Sequence, residues 1–152
     1  MSDFRSGLLV VTLLFSVLLT TGCSRYVLRG RVVEGGGAGV MAVSPDDPRL
    51  AQPGVPNVEI RVFRNHRRPN PELAVSGVTD VDGSFSLPIE AFGAGWMEET
   101  WLIRARRAGY GDAEATISLP SEDGRVLILL GPGASTPWID PNDPMQQYQD
   151  FR

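Results

Sequence analysis

Side chains able to do chemistry are few in this chain, and they are scattered. Among 152 residues there is one cysteine, Cys23, and one histidine, His66. A lone thiol has no partner for an internal disulfide, so Cys23 needs another use. His66 stands in Arg64-Asn65-His66-Arg67-Arg68-Pro69, where neighbouring arginines repel a cation and no second soft ligand is at hand. That run is expected to be a solvent-side loop with no metal. Its arginines, Arg64, Arg67 and Arg68, make a candidate patch for phosphate or sugar-acid groups, or for an acidic partner. Asp80-Val81-Asp82-Gly83 sets carboxylates at i and i+2, as a calcium loop does. Counting from Asp80, however, the sixth and twelfth positions are Phe85 and Ala91, where an EF-hand needs Gly and Glu. A turn is the expectation. Ser86 and Ser118 fall within strand-like runs, and no serine occupies a Gly-x-Ser-x-Gly elbow. Glu98 and Glu99 are adjacent, so on extended chain they point to opposite sides. These patterns lead us to expect no catalytic residue, no cofactor and no enzymatic activity. Trp96 and Trp101 bracket an acidic stretch. Trp101 alternates with the core positions of its strand, which leaves Trp96 as the candidate to stack on a sugar ring.

The residues before Cys23 give its thiol a context. Met1 to Arg5 is a short polar start, Gly7 to Leu19 is almost unbroken apolar sequence, and Leu19-Thr20-Thr21-Gly22-Cys23 closes it with small residues. This is the layout of a secretory signal peptide. The 15 residues from Ser6 to Thr20 reach roughly 22 Å as a helix. A membrane span needs about 20 residues to cross ~30 Å of hydrocarbon. The stop at Gly-Cys resembles a bacterial lipoprotein signal, with Thr20 where such signals usually carry Leu and Leu19 one place further back. The resemblance implies cleavage before Cys23 and a diacylglyceryl thioether plus an N-linked acyl chain (palmitate or similar) on that residue. Each buried CH₂ of such chains adds ~0.8 kcal/mol of membrane affinity, so several chains hold firmly. On this reading residues 1–22 are the signal and residues 23–25 the lipid anchor and a short tether. The expected location is the cell envelope. Ser24 follows Cys23 where Asp would signal inner-membrane retention, which favours the outer membrane in a Gram-negative cell.

Composition narrows the rest. The formal charge is −4, and cleavage after residue 22 removes Asp3 and Arg5 together, leaving it unchanged. A mildly acidic chain lacks the basic face that nucleic acid wants, so no nucleic-acid partner is expected. Every fixed basic charge is Arg; there is no Lys. With 17 Gly, 12 Pro and Val-rich runs, the chain favours strands and turns over helices.

Seven stretches show strand character: 26–33, 57–64, 73–79, 84–89, 101–106, 113–119 and 125–130. In Asn57 to Arg64, Val58, Ile60 and Val62 share one face and Glu59 and Arg61 the other, the period of two of a half-buried strand. The turn at 80–83 predicts a hairpin between its flanking strands. Residues 34–54 (EGGGAGVMAVSPDDPRLAQPG) are expected to form a long loop. Residues 132–152 are Pro-rich and too poor in large apolar groups to build a core, so a mobile tail is expected, with Trp138-Ile139 able to pack back or to dock on a partner. Together these predict an all-β, seven-stranded antiparallel sandwich over residues 26–131.

Particular residues then suggest a family. Gly30-Arg31-Val32, Gly54-Val55-Pro56-Asn57-Val58-Glu59-Ile60, Thr79-Asp80-Val81-Asp82-Gly83-Ser84-Phe85 and Ala105-Arg106-Arg107-Ala108-Gly109-Tyr110 resemble the carboxypeptidase regulatory-like domain, a transthyretin-like (prealbumin-like, Ig-like) β-sandwich of exported bacterial proteins. The departures are the 34–54 insertion and the long stretch before Trp101. The resemblance implies an accessory or adhesive module without peptidase chemistry. For an anchored sandwich without reactive groups we expect an envelope protein partner, recognised through edge strands or loops. A glycan-binding module is the alternative.

Overall fold

The structure, a computed structural model, describes residues 25–64, 71–91, 94, 95, 97 and 99–135. Among these residues, eight strands form two four-stranded sheets. They are β1 (Tyr26–Glu34), β2 (Gly39–Val43), β3 (Glu59–Arg64), β4 (Glu72–Val78), β5 (Ser84–Ile89), β6 (Thr100–Arg106), β7 (Ala113–Ser118) and β8 (Arg125–Leu130). The first sheet has the order β2-β8-β1-β5 and the second β4-β3-β6-β7. Neighbours are antiparallel except β1 and β8, which run parallel and pair from Gly30–Val126 to Glu34–Leu130.

The core lies between the sheets, where the period-two residues put it. Val58, Ile60 and Val62 are all fully buried, with Leu28, Val32, Phe85, Leu87, Trp101, Ile103, Val126 and Ile128 around them. Branched and aromatic side chains in alternation fill a pleated face well, which is why these runs are strands. Thr79 is the one buried polar side chain among the described residues. Its hydroxyl donates to Val55 O and accepts from Val58 N–H, both at 2.9 Å, so neither backbone group is left without a partner.

Three expectations are corrected. Among the described residues there are eight strands, not seven, and the sandwich is not purely antiparallel. The turn at 80–83 is no hairpin: β4 and β5 belong to different sheets, so it carries the chain around the sandwich edge. Gly83, at φ +80, closes this corner by donating to Asp80 O at 2.9 Å, while the Asp82 carboxylate accepts from Ser84 N–H at 3.0 Å. The local signal for a turn is the same in both cases, and only the packing of the two flanking strands decides whether they pair. Third, residues 34–54 are not a free loop. They hold β2, which pairs with β8, and a 3₁₀ turn at Pro48–Ala51. Asp47 caps that turn, its carboxylate accepting from Arg49 N–H at 3.0 Å and from Arg49 Nε at 2.9 Å. These bonds hold the Asp47 pKa down at about 2. The segment crosses the outer face of the first sheet: Arg31 donates to Leu50 O at 3.1 Å, and Gly54 bridges Val33. Beneath it Val33 and Leu127 are fully buried although they alternate away from the interior cluster.

Strand directions define two ends. At one end β1 begins, β5 gives way to β6, β3 to β4, and β7 to β8. At the other lie the β4–β5 corner, the β6–β7 connection, the Gly54–Asn57 approach to β3 and the exit from β8. The chain thus enters at one end and leaves its last strand at the opposite one.

Candidate functional site

The entry end gathers Tyr26, Pro120, Gly95, Arg64 and Glu99. Tyr26 is buried, and its hydroxyl donates to Pro120 O at 2.8 Å. Gly95, at φ +81, lies so close to the Tyr26 ring that a Cβ there would collide with it. Arg64, at the end of β3, pairs with Glu99 (Nε to Oε1, 2.8 Å), and its guanidinium carbon sits 5.5 Å from the ring centroid of Trp101. It therefore has partners within its own fold. Arg67, Arg68, His66, Trp96 and Cys23 lie outside the described residues. Trp101, 1% exposed, is core as its alternation predicts. Glu99 is tied to Arg64, while Glu98 is outside the described residues. Ser86 and Ser118 lie in β5 and β7.

The opposite end carries a feature that residue types alone did not mark. Glu34, the Gln52–Pro56 run, Arg107 and Tyr110 line an open cleft of about 270 Å³. Each wall has a local cause. Val55 N–H donates to Val32 O at 2.8 Å, which holds the Pro53–Pro56 run against the end of β1. Gly54 passes so near the Asp82 backbone and Gly83 that no Cβ fits. Asn57, at φ 55, then turns the chain into β3, a conformation its short amide side chain tolerates. Gly109, at φ +87, bends the β6–β7 connection, and Arg107 stacks over the Tyr110 ring at 5.3 Å. Two prolines, a valine and a phenol ring make the cleft largely apolar. One anion, Glu34, and one cation, Arg107, flank it. The signal for it was Gly54-Val55-Pro56-Asn57 and Gly109-Tyr110, both visible in sequence, but nothing in sequence placed them side by side.

The outer face of the second sheet is laced with ion pairs: Arg61–Glu59 at 2.8 Å, Arg104–Glu114 at 2.6 Å and Arg106–Asp112 at 3.3 Å. Arg104 also sits 5.5 Å from the Phe63 ring centroid. Among the described residues no three His, Cys, Asp or Glu side chains gather as metal ligands do. None of the described helices is long and apolar enough to cross a membrane.

Compared with known proteins, the chain matches no family, and no curated protein matches it. Among solved structures it is similar to the crystal structure of a 9R-lipoxygenase from Cyanothece PCC8801, at 15% identity and a TM-score of 0.38. The alignment covers 80% of this chain but only 18% of the lipoxygenase chain, and at that TM-score the likeness carries no argument about function.

Proposed function

We propose that the chain is an exported lipoprotein, acylated at Cys23, whose sandwich is a carboxypeptidase regulatory-like, transthyretin-like module. Its work is structural or protein-binding at the bacterial cell envelope, and no enzymatic step is assigned to it. The observation that carries this reading is the arrangement of the two ends. β1 begins at Tyr26, three residues past Cys23, and the cleft lies at the opposite end of the sandwich. An anchor on Cys23 would hold the entry end at the lipid surface and turn the cleft and corner loops toward partners. Further support is that several of the residues carrying the family resemblance meet at that far end: Gly54 packs on Gly83, and the Tyr110 loop faces the Pro53–Pro56 run across the cleft. In a Gram-negative cell the outer membrane is the expected site.

The test is the fate of Cys23. The exported protein is expected in the membrane fraction, starting at Cys23 and heavier than its polypeptide by the mass of the acyl groups. Cys23→Ser is expected to move it to the soluble fraction with the sandwich intact. An exported product with an unmodified sulfur would overturn the lipoprotein reading.

A further inference from the structure

The cleft at the exit end is small. Sites for free small molecules usually run from about 300 to 1,000 Å³, whereas this one, at about 270 Å³, suits one or two side chains. Its apolar walls, Pro53, Val55, Pro56 and Tyr110, favour an aromatic or proline-rich occupant, and Arg107 at its rim favours one with a nearby carboxylate.

The path of the chain out of β8 leads along the same wall. Leu130 pairs with Glu34, a cleft residue, and accepts from Gly35 N–H at 3.0 Å. Gly111 N–H then donates to Gly131 O at 2.9 Å, Pro132 bridges Tyr110, and Gly133 N–H donates to Gly109 O at 3.3 Å. The described chain therefore ends at Ser135 just past the loop that carries Tyr110 and Arg107. Residues 136–152 follow, beginning Thr136-Pro137-Trp138-Ile139-Asp140. Trp138 is three residues beyond Ser135, a reach of roughly 10 Å on extended chain. From Thr136 onward the acids are Asp140, Asp143 and Asp150, against the single base Arg152.

We propose that the cleft binds this C-terminal segment of its own chain, with Trp138 and Ile139 entering between Tyr110 and the Pro53–Pro56 run and Asp140 meeting Arg107. Prolines stand at 137, 141 and 144, and a proline ring fixes φ in the free chain as well as the bound one, which lowers the entropy lost on docking. A tether this short also supplies an effective concentration on the order of millimolar, so a contact of modest intrinsic strength suffices. This inference stands whether or not Cys23 is acylated.

Trp138 supplies the test. The fluorescence of the exported protein minus that of its Trp138→Phe variant isolates the Trp138 signal. The expected result is blue-shifted emission, with acrylamide quenching several-fold weaker than in a synthetic 136–152 peptide. Arg107→Glu and, separately, Tyr110→Ser are each expected to return Trp138 to the peptide's values. The residual emission of the Trp138→Phe background, which comes from Trp96 and Trp101, stays unchanged in both cleft variants and reports an intact fold, and Arg107, being partly exposed, is the variant that leaves folding undisturbed. Three results overturn the proposal. Trp138 could be quenched as freely as in the peptide; it could be shielded yet indifferent to both cleft variants; or its shielding could vanish on dilution, which would put the segment in a second copy.

Discussion

Tyr26 ties three segments together. Its ring lies in the core and meets Gly95, and its hydroxyl reaches Pro120 between β7 and β8. Burial first, and the charge of Glu122 second, push its pKa up from 10.0 to about 12. The folded state thus resists losing this proton while the unfolded chain gives it up near the ordinary value. Stability from this group is complete below about pH 10 and falls as pH rises from about 10 to about 12. We expect wild-type denaturation midpoints to drop between about pH 9 and pH 11 more steeply than those of Tyr26→Phe. The variant loses the hydrogen bond at every pH, about 1 kcal/mol. Parallel alkaline slopes in the two proteins would remove Tyr26 as the cause.

Elements acquire roles that their own residues do not announce. The run from Glu34 to Gly54 has the Gly, Pro and Asp content of a loop, yet it supplies an edge strand and a cover. β2 forms because Gly39–Val43 finds the open side of β8, and the 3₁₀ turn forms because Asp47 caps it. The cover makes a prediction about Leu127. Its alternation sends it to the outer face of the first sheet, where an acidic side chain is tolerated if the 34–54 segment is a free loop. Leu127 is instead fully buried. Leu127→Asp is therefore expected to cost about 3 kcal/mol or more, because an unpaired carboxylate would be enclosed. Urea denaturation reads this directly, and a change below about 1 kcal/mol would mean the segment lifts away at little cost.

For the whole molecule, the consequence of acylation is orientation. Val81, on the β4–β5 corner at the exit end, is 94% exposed; Glu122, between β7 and β8 at the entry end, is also exposed. In vesicles carrying the acylated protein, Val81→Cys is expected to react with a bulky maleimide-polymer reagent much faster than Glu122→Cys. Detergent is expected to bring the two rates together. Equal rates on intact vesicles would mean that the sandwich lies on its side or is not held by its amino-terminal end.

Strand character in short runs marked seven of the eight described strands, and period-two alternation marked core residues such as Val58, Ile60, Val62 and Trp101, since burial on one pleated face is a local property of the chain. Asp82-Gly83 and Gly109 likewise announced their turns, because a positive φ is satisfied within a few residues. Three things depended on contacts far apart in sequence. β2 became a strand only by pairing with β8, and β4 and β5 parted into separate sheets only because each packs with strands more distant than its neighbour. The cleft exists only because Glu34 at the end of β1, the Pro53–Pro56 run before β3 and Tyr110 in the β6–β7 connection are brought by the sandwich to one end. Pairing partners and the meeting of loops are set by which surfaces bury one another, and no window of neighbouring residues contains that information.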